Sequence, residues 1–366
     1  LPEPTIKEER DSAVVYLVNT LLNSEDGEIT HWSTGGGQTS MIFEKSERQD
    51  EAWEFLKWRY STEGQVEYGQ QIQMLYGDEY LWNTANMEAF KQMKYLSYVV
   101  WPDNLVGIGD QAFAGCNLRG SLIFPEGLKH IGGSVFEAYN CQLSSLTGEL
   151  YLPSTLEYIG GETFGQCKLT GDFVLPNNIL FIGEGAFGAC QFLTGKVHIP
   201  EKLDILNRGA FPENLTGDVR VPQGIKVVNG ISKKITSVYF PEGVEEIGFG
   251  AFWDVSTLKG DIEFPSTLKK IGENAFPGTS ISHVKFSEGL DMIETNAFSW
   301  CKFLQDTLTF PSTVTKIKNR AFYECEKLNA VVFPENLQTI EGEAFGNCRS
   351  LDYIRCLSVE PPKLDG

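Results

Sequence analysis

Eight cysteines, four histidines and one Gly-x-Gly-x-x-Gly string are the residues of this chain best suited to chemistry. They could serve as thiolate nucleophiles, metal ligands or a phosphate cradle. Their spacing argues against each role. Gly183-Glu-Gly185-Ala-Phe-Gly188 has the letters of a dinucleotide fingerprint, but that fingerprint must join a strand to a helix. Here it is one copy of a recurring Ile-Gly-x-x-Ala-Phe. The triple glycine Gly35–Gly37 lacks the Lys of a phosphate loop. His31, His130, His198 and His283 do not lie at metal-ligand spacing from a Cys or from one another. Acid pairs such as Glu245-Glu246 read as solvated turn residues. No catalytic residue, metal site or cofactor is therefore expected.

The cysteines follow a rule of their own. Cys116, Cys167, Cys190, Cys301, Cys325 and Cys348 each lie three residues after a recurring Phe, and Cys141 lies five after one. Cys356 falls on an inward strand position. Stacked strands are about 4.7–4.9 Å apart, whereas a relaxed disulfide brings Cβ atoms to about 3.8 Å. The expectation is a ladder of buried, reduced, inert thiols, which says little about compartment.

The element that positions them is a unit of the form apolar-x-apolar-Pro-x-x-Leu-x-x-Ile-Gly-x-x-Ala-Phe-x-x-Cys. Its Phe recurs at 113, 136, 164, 187, 211, 252, 276, 298, 322 and 345. The steps are 22–28 residues, with one gap of 41. Such a period means a solenoid, because a unit this short buries its apolar face only by stacking on neighbours. Eleven units align on their prolines, Ser287 replacing one. Alternation before each proline, as in Leu122/Phe124 and Leu308/Phe310, predicts a short strand that the proline ends. The glycine after Ile (Gly132, Gly160, Gly183, Gly272) is expected to supply a corner that tolerates positive φ. Leu-x-Gly turns precede many strands.

Two units are irregular. The one from Pro125 carries extra residues near 137–148, read as a tolerated loop. The one from Pro222 keeps Ile225 and Val228 but lacks Ala-Phe and the Cys slot. Residues 1–96 show no repeat. Thr5-x-x-Glu8 resembles a capping box ahead of Val14, Leu17, Val18, Leu21 and Leu22 at helical spacing. Further helices are expected around residues 50–58, 61–75 and 84–90, with a loop from His31 to Gln38. This gives a small helical region over 1–96, capping a solenoid over 97–366.

Lys+Arg 30 against Asp+Glu 49 leaves a net charge of −19. Such a chain lacks the basic footprint of nucleic-acid or anionic-lipid binding, and no apolar run is long enough to span a membrane. The chain starts at Leu1 without a Met and reads as a mature or trimmed chain, which leaves export open.

Ile-Gly-x-x-Ala-Phe-x-x-Cys is the hallmark of the BspA-like leucine-rich repeats, and residues from about 99 to 366 resemble that family. The resemblance implies a right-handed leucine-rich repeat solenoid with a parallel sheet on one face. It also implies an extracellular or bacterial cell-surface protein that binds host or bacterial partners. A second resemblance rests on Asp26-Gly-Glu-Ile, Gly35–Gly37, Ala52-Trp-Glu-Phe-Leu-Lys-Trp and Asn83–Phe90. These are similar to the C-terminal end of extracellular solute-binding proteins of sugar ABC importers. In that family the Gly-rich stretch lies near the ligand cleft, but the lobes that form the cleft have no counterpart here. The alternative function is thus a solute-binding component with accessory repeats.

Surface residues remain. The outward positions of the pre-proline strands include Tyr151, His198, Arg220, Tyr239, Glu263 and Lys285. Tyr and Arg are enriched at binding hot spots. Eleven strands would form one sheet of roughly 50 Å. The expectation is a monomeric, non-enzymatic protein that binds a protein or glycan on this face and prefers a neutral or basic partner.

Overall fold

The computed structural model describes residues 15–18, 21–23, 30–32 and 39–42 by their backbone, and residues 99, 101, 104–116, 118–136, 146–358 and 362–365. The chain divides into two compact units, 1–100 and 101–366.

In the first unit, Val15–Val18 pairs antiparallel with Thr39–Ile42, and Leu21–Asn23 with Thr30–Trp32. The helix expected over Val14–Leu22 is therefore two strands, and the expected loop begins in a third. Short apolar runs fit either period, and here the β-branched valines favour the strand. The other expected helices, residues 137–145 of the extra stretch in the Pro125 unit and Cys141 lie outside the described residues.

The second unit is a leucine-rich repeat solenoid, and no helix occurs among its described residues. Each turn contributes two strands to separate parallel ladders. The pre-proline ladder contains most of the expected strands, but not as one sheet. It is split into four pairs and a final triplet, with single bridges Glu149↔Thr170 and Lys196↔Thr216 between pieces. Residues 173–175 and 197–199, ahead of Pro176 and Pro200, form no strand, so His198 lies beside the ladder. The paired residues there are Gly171–Asp172 and Leu193–Thr194. The longer ladder is formed by the Leu-x-x-Ile segment, as in Lys270–Ile271 and Lys316–Ile317. It runs through four strands and then eight.

Inside, the repeat phenylalanines stack face on face. Phe252–Phe276, Phe276–Phe298, Phe298–Phe322 and Phe322–Phe345 have centroids 4.8–5.2 Å apart and planes within 9°. A second column runs Phe240–Phe264–Phe286–Phe310–Phe333 at 5.4–5.9 Å. At the first repeat Trp101 meets Phe113 at 5.4 Å and Phe124 at 5.2 Å. Fully burying one such ring removes enough apolar surface to stabilise the fold by about 1.5–3 kcal/mol, and each unit adds one or two.

The glycine after Ile does not have the role expected of it. Gly132, Gly160, Gly183 and Gly272 have no positive φ. They are glycines because neighbouring turns touch there. A Cβ would stand 2.5 Å from Asp110 N at Gly132, 2.3 Å from Gly133 N at Gly160 and 2.2 Å from Gly161 N at Gly183. The left-handed positions flank the repeat Phe instead, two before and two after it. They include Glu162 (φ 54), Gln166 (φ 62), Ala189 (φ 57), Asn296 (φ 55), Trp300 (φ 60) and Glu343 (φ 55).

The cysteine ladder has a direct cause. Cys190, Cys301, Cys325 and Cys348 donate Sγ–H to the carbonyl of the preceding unit's Phe at 3.0–3.3 Å. A small, weak donor fits a slot that is dry yet faces a backbone oxygen. Thr279, which replaces Cys in one unit, donates instead to Phe276 O at 3.0 Å. Burial pushes the Cys116 and Cys301 thiols up to about 12 and also raises Cys190 and Cys325 well above the ordinary thiol range. Cys356 departs from the expectation. It is exposed, on the strand Tyr353–Cys356, whose one strand partner among the described residues is Leu328–Phe333.

Candidate interaction surface

Alternation places Tyr151, His198, Arg220, Tyr239, Glu263 and Lys285 outward, and all six are exposed. Tyr151 and Tyr239 retain 52% and 54% of their accessible surface. Their inward neighbours Val219, Val238 and Ile262 are buried, so the outward residues stand on a packed floor.

The six are not equally available. Arg220 pairs in register with Tyr239, and its guanidinium carbon lies 5.5 Å from the ring centroid. Glu263 pairs with Lys285, and the two side chains form an ion pair. Tyr151 donates its hydroxyl to Glu149, whose carboxylate raises the phenol's pKa. His198 Nε2 lies 3.1 Å from Asn177 Oδ1. Each long side chain is thus held by a neighbour, which lowers the entropy lost on binding.

His283, which the sequence offered only as a histidine without metal-ligand spacing, lies on the strand Ser280–Lys285 of the same face. Its Nδ1 lies 2.6 Å from Asp261 Oδ1 and its Nε2 2.8 Å from Asp306 Oδ2. Only the imidazolium donates from both nitrogens. The bonds to Asp261 and then Asp306 accordingly raise its pKa. The pairing laces three consecutive strands together across the exposed face.

A second set of aromatics had no signal in the strand alternation. Trp253, Trp300, Phe192 and Phe303 are 44–53% exposed on the turns that follow the repeat Phe. Trp300 packs edge-on against Tyr323 at 6.3 Å, and Arg320 lies over that same ring at 5.2 Å. Their signal was available in the position of each relative to the buried Phe. Turn residues carry no period of two, so alternation passes over them.

The geometry defines a leucine-rich repeat protein whose surface chemistry is aromatic and mixed-charge. Its sequence matches the BspA type leucine rich repeat region over residues 83–226 and 230–352. The chain belongs to that family. The chain is also similar to several solved structures. One is a leucine rich cell surface protein from Faecalibacterium prausnitzii A2-165, 22% identical over 70% of this chain and 84% of that one, TM-score 0.41. Another is a leucine-rich repeat protein from Eubacterium ventriosum, 21% identical over 72% and 73%, TM-score 0.46. A third is the pneumococcal vaccine antigen PcpA, 19% identical over 70% and 75%, TM-score 0.44. Curated proteins give no match. None of these matches is a solute-binding protein, and the resemblance of residues 26–93 to that group gains no support. No helix among the described residues is long and apolar enough to cross a membrane.

Proposed function

We propose that this is an exported, non-enzymatic binding protein that docks a protein partner on the outward row of its pre-proline strands, outside the cell. The observation that supports this reading best is the Arg220–Tyr239 pair. An exposed aromatic and a guanidinium are stacked at 5.5 Å on adjacent, in-register strands. Such pairs supply large contact area and directional donors with little ordering cost. Tyr151 and His198 extend the row in one direction, Glu263 and Lys285 in the other. The chain's net charge of −19 favours a partner with a neutral or basic surface.

The test uses paired variants. Tyr239→Ala and Arg220→Ala, alone and together, are compared with Lys270→Ala on the Ile ladder for binding to a partner confirmed with the native chain. The strand-face double variant is expected to lose at least tenfold in affinity with an unchanged thermal melt, while Lys270→Ala binds normally. Equal binding by all variants would reject the strand face. Protease shaving of intact cells checks the location, since a surface protein is removed while cytoplasmic markers survive.

A further inference from the structure

Along the complete units, two backbone groups per turn bridge to the next turn. The residue two before the repeat Phe and the Phe itself both donate N–H. Glu162 bonds Glu184 O at 2.9 Å and Phe164 bonds Ala186 O at 2.8 Å. Asn274 bonds Thr295 O at 3.0 Å and Phe276 bonds Ala297 O at 2.7 Å. The unit from Pro222 has no Ala-Phe and breaks this ladder. Gly209 and Phe211 find no acceptor for their N–H groups, and the carbonyls of Phe249 and Ala251 find no donor, among the described residues. Phe211 and Ala251 keep only 1% and 5% of their surface. Buried backbone groups without a partner are rare and call for an explanation.

A cavity of about 460 Å³ opens at the same break, within the range of about 300–1,000 Å³ typical of ligand pockets. Glu184, Arg208, Phe211, Glu213, Trp253 and Asp254 are among its walls. Trp253 is 50% exposed. Glu213 is already paired with Lys233 at 3.0 Å. We propose that this notch is a binding site for a neutral sugar, one or two rings in size.

The chemistry selects that class. The walls carry both signs, Glu162, Glu184, Glu213 and Asp254 with Arg208 and Lys233, so a charged ligand of either sign meets like charge beside it. The unpaired groups at the break are the neutral N–H and C=O of the backbone. A hydroxyl both donates and accepts. Several on one small ring match donors on the Phe211 side and acceptors on the Ala251 side. The C–H face of the ring suits the indole of Trp253, whose body is apolar. The site lies on the turn edge and involves none of the six outward strand residues, so it stands apart from the strand-face reading.

The full chain is titrated with methyl α-glucoside, methyl α-galactoside, methyl α-mannoside and cellobiose, followed by saturation-transfer NMR and tryptophan fluorescence. Glucuronate and lysine methyl ester are the charged comparators. At least one neutral sugar is expected to saturate and to bind at least tenfold tighter than either comparator. Trp253→Ala should weaken it at least tenfold. Trp253→Phe, which keeps an aromatic ring, should remain within a few-fold. Tyr239→Ala should leave it unchanged. The proposal is overturned if no neutral sugar binds, if a charged comparator binds tightest, or if Trp253→Ala binds as the native chain does.

Discussion

Cysteine accessibility and one histidine carry the residue-scale predictions. Cys167, Cys190, Cys301 and Cys325 are buried while Cys356 is exposed. A thiol reagent at neutral pH should therefore label Cys356 within minutes and these four only after unfolding. Peptide mapping that finds Cys301 or Cys325 labelled in the native protein would contradict the buried ladder. His283 makes the second case. Its folded pKa is raised by Asp261 and Asp306. Its contribution is thus fully present below the ordinary histidine value of about 6.5 and is lost as pH rises through the folded pKa. The His283→Gln variant should accordingly lose more stability at pH 5.5 than at pH 8.5. NMR titration should place the imidazole above its ordinary value, and a midpoint at or below 6.5 would show that the strand-lacing bonds do not form. The ring is part-exposed and its two aspartates are mostly in solvent, so the effect is modest.

At the scale of the element, the two kinds of glycine-sized position respond oppositely to substitution. Gly183→Ala would place a Cβ 2.2 Å from Gly161 N. Overpacking against an immovable backbone should destabilise by about 2–3 kcal/mol. Ala189 is exposed with φ 57. Ala189→Gly relieves a left-handed strain of about 1–2 kcal/mol while adding chain entropy of about 0.5–1 kcal/mol. That variant should be neutral or slightly more stable. Urea melts of both variants decide the matter, and equal losses would show that one rule governs both positions. These positions also mark where sequence reasoning stopped. The period located the strands before proline, the buried phenylalanines and the thiol slot, because side-chain identity repeats there. The Leu-x-x-Ile ladder escaped notice because each of its strands is mostly two residues long and has no alternation. The Ile-Gly glycines were assigned to φ because close approach between turns leaves no trace in a single unit. For the interaction surface, alternation gave the outward row. The contact of Arg220 with Tyr239 depends on a register shift between Gly217 and Asp218, which no side-chain pattern encodes.

For the repeat array as a whole, stability is a sum over units and the interfaces between them. The weakest interfaces should be those that the short unit interrupts. There the turn-to-turn hydrogen bonds lapse at Gly209 and Phe211; one turn earlier, the four-stranded Ile ladder ends at Phe181–Ile182 before the eight-stranded one begins at Ile205–Leu206. Hydrogen exchange in moderate urea should therefore show two protected blocks, one before about Gly183 and one after about Pro241, with the stretch between opening first. Uniform exchange along the array would mean that the side-chain columns alone set cooperativity.

The parallel ladders also fix how the array bears tension. The strands lie across the stacking direction, so a pull on its two ends loads the hydrogen bonds of the outermost turn one after another. Resistance is then low and nearly constant, like thread leaving a spool. Each turn of about 23 residues would pay out roughly 80 Å of chain. A force-extension trace should show a low, nearly flat plateau with small steps of that spacing, and tall isolated peaks would show that several turns give way together.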